Sequence, residues 1–383
     1  MCFEGCDSLR EIPDLSEVPN LKELHIQSCM SLFKIHDSVG LFKKLETLSA
    51  RDCINLFIFP CAINLPSLKD LDLLRCKSLK RFPEVLEENN NELSLSLGGT
   101  AIEELPSSIQ KLLGLKDIFL NESESLNRVP GGILKLSQLQ NFHAESCKNI
   151  NFFESSECEE AATSSEPEDL VVNLTDSGLN DEILASPAFI SSLYQVTNLC
   201  LRGSSFTVLP ASFKECHSLR ALYLDYCKEL QEIEGFPPNV LTFSAMECSS
   251  LSSQSSRMLL DQAVLKTNRT FNLPGQGVPE WFHYSSNAAK LTFWFREQVP
   301  AIAFCFVARE LQPDDIGQSV DLRISVQIHG LSNHKSNYSS MFIPDGITDF
   351  DEEGMEDLER KKIHLELDLN NPPPVGDDEL SAD

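Results

Sequence analysis

The stretch Leu21-Lys22-Glu23-Leu24-His25-Ile26-Gln27-Ser28-Cys29-Met30-Ser31-Leu32 decides how this chain reads. Its skeleton, Leu-x-x-Leu-x-Ile-x-x-Cys-x-x-Leu, returns from Leu45 to Leu56 and again from Leu68 to Leu79. Further copies start at Leu115, Leu139, Leu219 and Val240, and weaker ones surround Leu95 and Leu199. The ninth position of the unit falls at 6, 29, 53, 76, 100, 123 and 147, then at 204, 227 and 248. A period of 23 or 24 residues, held over six steps, marks a repeat architecture.

Within a unit, positions 4 and 6 are two residues apart, so in a strand both face inward while 3, 5 and 7 face outward. Position 9 ends the strand, and the chain then returns along the opposite side, often through a Pro-marked bend such as Leu105-Pro106-x-x-Ile109. One unit cannot bury its own apolar face, so the units must stack. This is the leucine-rich-repeat pattern, and it predicts an α/β solenoid over residues 1–251. That fold is a horseshoe of about 10 units with a parallel β-sheet on the concave face, roughly 45 Å from edge to edge.

The repeat accounts for the cysteines. Seven of the thirteen (Cys6, Cys29, Cys53, Cys76, Cys147, Cys227 and Cys248) occupy position 9. There a small thiol packs as a hydrophobe with a weak donor. These are structural thiols, and Cys2/Cys6 and Cys216/His217 lack the paired spacing of a zinc site. Four Asn-x-Ser/Thr sequons (Asn121, Asn173, Asn268, Asn337) occur without an export signal and are read as accidents of composition. Cys6 stands at position 9 with no room upstream for its leucines, so the chain is expected to lack an amino-terminal portion that would cap the stack.

The formal charge of −27 over 383 residues is local. Residues 151–182 contribute −10 and residues 345–383 contribute −11, leaving about −6 for the remainder. Nucleic acid and anionic membranes, which need a basic footprint, are not expected partners. No apolar run approaches the roughly 20 residues of a spanning helix, and no secretory h-region is visible. A cytoplasmic setting, extending to the nucleus, is the expectation. The 57-residue step between 147 and 204 holds one irregular unit, Leu170-x-Val172-x-Leu174-x-x-Ser177, behind an acidic loop at 151–169.

After Leu251 the period stops. Residues 252–270 read as a linker with a short helix around Arg257–Leu265. From 271 to 370 the β runs Leu291–Phe295, Ala301–Ala308, Val320–His329 and Ile363–Leu369 suggest an antiparallel jelly-roll or Ig-like β-sandwich. Trp281, Phe282, Trp294, Phe304 and Phe306 are assigned to its core. Residues 371–383 read as an acidic disordered tail.

Two motifs then carry a resemblance. The run Gly99-Thr100-Ala101-Ile102-Glu103-Glu104-Leu105-Pro106-Ser107-Ser108-Ile109 is one; Leu273-Pro274-Gly275…Val278-Pro279-Glu280-Trp281-Phe282 is the other. With the Cys ladder they resemble plant intracellular immune receptors of the TIR, nucleotide-binding and leucine-rich-repeat (TIR-NB-LRR) type, in their repeats and C-terminal jelly-roll domain. The resemblance implies recognition of a pathogen effector or guarded host protein and a part in defence signalling. In the full-length family it also implies contacts with the nucleotide-binding domain and homo-oligomerisation. No G-x-x-x-x-G-K-[ST] loop and no TIR-like βα alternation occur, so neither nucleotide binding nor NAD⁺ cleavage carries over. No cofactor or metal is expected.

The outward strand positions define a candidate partner-binding face: His25, Arg51, Asp72, Phe119, His143, Glu145, Arg202, Tyr223, Asp225 and Met246. Aromatics and Arg on a solvent face are common anchors of protein interfaces. His25, His143 and Asp72 share the stripe, but no shielded nucleophile lies near them, which disfavours catalysis. Alternatives are a non-immune cytosolic scaffold, a truncated regulator or decoy of full-length receptors, and sugar binding by the β-sandwich near Trp281.

Overall fold

The computed structural model describes residues 1–154, 169–265, 270–273, 290–295, 323–329 and 361–368. The acidic residues 155–168, the Pro274–Phe282 part of the second motif, the run Ala301–Ala308 and the tail 371–383 lie outside the described residues. The described chain separates into two compact units, Met1–Ala263 and Val264–Asp383.

In the first unit ten repeats each contribute one strand to a single parallel sheet, and two-residue strands on the returning segments pair in separate two-stranded sheets. The strands of the large sheet are β1 (Glu23–His25), β2 (Thr47–Ser49), β3 (Asp70–Asp72), β4 (Leu93–Ser96) and β5 (Leu115–Phe119). Then follow β6 (Asn141–His143), β7 (Val171–Asn173), β8 (Asn198–Cys200), β9 (Ala221–Tyr223) and β10 (Thr242–Ser244). They pair in parallel and in sequence order, each repeat beside the next. The irregular repeat is no exception: β7 pairs with β6 and β8 in the common register, Phe142 opposite Val172 and Val172 opposite Leu199.

The core is the repeat read sideways. Leu24, Leu48, Leu71, Leu95, Ile118, Phe142, Val172, Leu199, Leu222 and Phe243 are all within 1% of full burial, and so are their partners two residues on. The opposite side is built from short 3₁₀ turns, three of which start from a proline: Ser107–Lys111 after Pro106, Gly131–Lys135 after Pro130 and Ala211–Glu215 after Pro210. Proline pre-sets the backbone φ at the entry to these turns. Only the irregular repeat uses α-helix on this side, α1 (Asp181–Leu184) and α2 (Pro187–Ser192), capped by Asn180 and Ser186.

The position 9 residues form a hydrogen-bonded column. Most donate to the position 6 carbonyl of the preceding repeat: Cys29 to Phe3 (2.9 Å), Cys53 to Ile26 (2.9 Å), Cys76 to Ala50 (3.2 Å) and Ser123 to Leu97 (3.3 Å). Cys147, Ser177, Cys227 and Cys248 continue it onto Leu120, Ala144, Leu201 and Leu224. Thr100 and Ser204, in the two weakest repeats, keep buried hydroxyls that reach no partner among the described residues. Cys6 corrects the sequence reading: it holds the ladder position but is exposed, because no described repeat packs against its outer side. Burial pushes the thiols of Cys53 and Cys147 up to about 11, away from the reactive thiolate. Brief iodoacetamide treatment of the folded protein is therefore expected to label Cys2, Cys6 and Cys61 and to spare the inner ladder. Peptide mass spectrometry showing Cys53 or Cys147 alkylated as fast as Cys61 would contradict the buried column.

The residue before each ladder position turns left-handed. Ser28, Asp52, Arg75, Glu122, Ser146, Asp176, Tyr226 and Glu247 all have φ between 53° and 64°, and Gly99 and Gly203 do the same at that position in the two weak repeats. A left-handed turn redirects the chain so that the ladder N–H folds back on the position 6 carbonyl of its own repeat, as Cys76 does on Leu73 at 3.1 Å. A non-glycine residue there costs on the order of 1–2 kcal/mol.

After β10 the helix α3 (Ser253–Leu265) begins earlier than the sequence reading placed it. In the second unit three strands, β11 (Lys290–Phe295), β12 (Arg323–His329) and β13 (Lys361–Asp368), form an antiparallel sheet with β13 in the middle. Leu291 pairs with Leu365 and Ile328 with Ile363. A second layer, which a jelly roll requires, would fall outside the described residues.

Candidate functional site

The position 5 side chains align across the sheet: His25, Ser49, Asp72, Ser96, Phe119, His143, Asn173, Cys200, Tyr223 and Ser244 are successive register partners. This row and the adjacent position 7 row make up the concave surface. Two clusters stand out on it.

The first is centred on Phe119 and His143, half-buried rings with centroids 5.4 Å apart. His143 Nδ1 lies 3.5 Å from Glu145 Oε1, which accepts from Asn173 Nδ2 at 2.9 Å. Asn173 Oδ1 in turn accepts from the Thr175 hydroxyl at 2.7 Å, and that hydroxyl lies 3.2 Å from Cys200 Sγ. Asn121 Oδ1 accepts from the Glu145 backbone N–H at 3.0 Å. The result is an aromatic pair beside an ordered polar floor.

The second is centred on Arg202. Its guanidinium lies over the Tyr223 ring at 5.0 Å, and its Nε donates to Asp225 Oδ2 at 2.7 Å. Asp225 also accepts from the Ser244 hydroxyl and, at 2.9 Å, from the Met246 N–H. A similar pattern recurs earlier: Arg51 Nε donates to Asp72 Oδ2 at 2.8 Å, and Ser49 donates to the same oxygen at 3.3 Å.

These contacts correct two assignments. Asp72 and Asp225 are only 7% and 5% exposed. They are not presented to a partner; they fix Arg51 and Arg202, whose charged groups remain accessible. His25 and His143 lie five strands apart, about 24 Å at the usual spacing, so they do not form a joint site. Among the described residues no cluster of His, Cys, Asp or Glu could hold a metal ion.

Three residues of this surface escaped the sequence reading. Asn173 and Thr175 belong to the irregular repeat and hold its positions 5 and 7. The alternation Leu170-x-Val172-x-Leu174 was the available signal. Tyr226, 58% exposed, is a bulky residue in the left-handed region beside the Arg202 cluster. Its place directly before the ladder residue Cys227, where Gly99 and Gly203 stand in the two weak repeats, was the available signal.

Comparison with known proteins follows the same residues. The sequence model "Disease resistance protein RPS4B-like, leucine-rich repeats" matches residues 64–265. The chain belongs to that family. Among relatives of these resistance-protein repeats, TMV resistance protein N of Nicotiana glutinosa is 30% identical over 251 residues, covering 64% of this chain and 20% of that protein. Disease resistance protein RPS4 of Arabidopsis thaliana is 26% identical over 361 residues, covering 80% of this chain and 28% of that protein. The chain thus spans 20% to 28% of the length of these relatives. The solved leucine-rich repeat domain of the type III effector XopL is 18% identical over 64% of this chain and 73% of that one, with a TM-score of 0.38. No helix among the described residues is long and apolar enough to cross a membrane.

Proposed function

We propose that the concave face of these repeats is the recognition surface of a plant intracellular immune receptor, binding a pathogen effector or a guarded host protein. The observation that carries this reading is the pair of clusters on one continuous sheet, Phe119/His143 and Arg202/Tyr223. From Phe119 on β5 to Tyr223 on β9 they span four strand spacings, roughly 19 Å, which suits a single protein partner better than a small molecule. An interface of ordinary size buries about 1,200–2,000 Å² in total and concentrates its energy on a few aromatic and Arg anchors. Arg51, His25, Glu145, Met246 and Tyr226 would supply the surrounding contacts. The role is recognition rather than catalysis, in a cytoplasmic or nuclear setting.

A two-hybrid screen against a cloned collection of effectors from plant pathogens tests this. An interaction found with the full chain is expected to disappear when Phe119→Ala and Tyr223→Ala are combined, a loss of about 100-fold or more in affinity. Both rings are half-buried, so the circular dichroism spectrum should be unchanged. Partners that bind the double variant as tightly as the parent would show that recognition lies elsewhere.

A further inference from the structure

A different surface shows a chemistry that the concave face does not explain. Four residues after each ladder position the chain emerges on the flank of the solenoid, past the turn and off the sheet. In most repeats that place is polar and exposed, as Glu104, Asn127 and Gln231 show. In two neighbouring repeats it is Phe33 and Phe57, stacked at 5.6 Å with their planes 14° apart. The N–H groups of Phe57 and Ile58 both donate to the Phe33 carbonyl at 3.0 Å, so the backbone beneath the rings is fixed. Met30 and Ile54, one residue after their ladder thiols, and Ile58 complete the strip. All five side chains are between 37% and 49% exposed.

Together they leave on the order of 400 Å² of contiguous apolar surface in water, within the range that marks a functional patch on a monomer. The cost is not needed for the fold, since neighbouring repeats manage with polar residues at the same places.

The edges of the strip say what would cover it. In the next repeat, counted from Cys76, the equivalents of Ile54, Phe57 and Ile58 are Lys77, Lys80 and Arg81, all exposed. Lys80 has Glu103 at 3.9 Å and Lys77 is near enough to Asp52 to help lower its carboxyl, while Arg81 forms no ion pair among the described residues. On the opposite edge Arg10 and Lys34 are accompanied by Asp7 and Glu11, so that side is nearly neutral. A stacked aromatic pair beside three exposed cations that outnumber their carboxylate neighbours complements a segment with apolar anchors followed by carboxylates.

We propose that the flank strip of Phe33 and Phe57 docks an acidic peptide segment of a partner protein. Its aromatic or aliphatic side chains would lie on the two rings, and its Asp or Glu residues would face Lys77 and Arg81. Docking removes the two rings from water and gives the cations their counter-charges. The site is separate from the concave face and would be occupied whether or not that face holds a ligand.

The test uses the full chain and a phage-displayed library of random dodecapeptides. Selection on the wild type, after depletion on a Phe33→Ser/Phe57→Ser variant, is expected to enrich peptides with one or two large apolar residues next to Asp or Glu. A synthetic peptide of the winning sequence, followed by fluorescence anisotropy, should lose tenfold or more in affinity with Lys77→Glu/Arg81→Glu and weaken as salt rises. Lys77 and Arg81 are exposed, so that variant keeps its fold even if the serine variant does not. Peptides without acidic enrichment, or ones bound equally by the charge-reversed protein, would overturn the proposal. So would a wild-type dimer in sedimentation analysis that the serine variant abolishes, because the strip would then be covered by a second copy.

Discussion

Replacing Phe142 by Ala is expected to destabilise the protein by about 3–5 kcal/mol, the cost of a large cavity in a packed core. Phe142 is fully buried at position 4 of β6, where most repeats carry a leucine or isoleucine. Its ring touches Phe152 (centroids 6.1 Å apart), which touches Phe189 of α2 at 5.5 Å. This chain of rings runs from the strand under His143 to the irregular repeat. In a solenoid, stability is close to a sum of repeat and neighbour-interface terms. The loss should therefore fall on the junction between β6 and β7 rather than be shared evenly. Urea denaturation followed by circular dichroism is expected to split into two transitions, with amide exchange accelerating first around β6 and β7. A single transition with an unchanged midpoint would mean that the neighbouring rings collapse into the space.

Asp225→Ala should cost about 2–3 kcal/mol and also weaken binding by whatever partner uses Arg202. The carboxylate is nearly buried and accepts from Arg202, Ser244 and the Met246 N–H, so its removal strands two donors and frees the guanidinium. The figure lies below that for a fully buried pair because 44% of the Arg202 side chain is open to solvent. Asp225→Asn separates the two effects. It preserves the shape and an acceptor for Met246 but removes the charge that holds Arg202 over Tyr223. Asn is expected to recover at least half of the lost stability, measured by thermal melting, without recovering binding. Binding restored to wild-type level in the Asn variant would show that Arg202 does not need its carboxylate.

Much of this was legible in the residues. A repeat with leucines two apart admits one solution, parallel strands stacked with a buried column, and the ladder thiols follow from the need for a small residue that bonds across the turn. The candidate face could be written down because strand alternation fixes which positions point outward. What alternation could not report is how deeply an outward side chain sinks once its neighbour arrives. Asp72 and Asp225 point outward by position yet are buried by the Arg, Ser and backbone donors of the adjacent repeats.

The sequence by itself therefore determined the solenoid, its period, its inner core and the two rows of its concave surface, because each depends only on spacing within one repeat. Tertiary structure alone decided which of those residues remain accessible and which serve to hold others. It also decided that Phe33 and Phe57, 24 residues apart, stack into one exposed strip. These depend on contacts between repeats, where register and the shape of a neighbour, not local pattern, set the free energy.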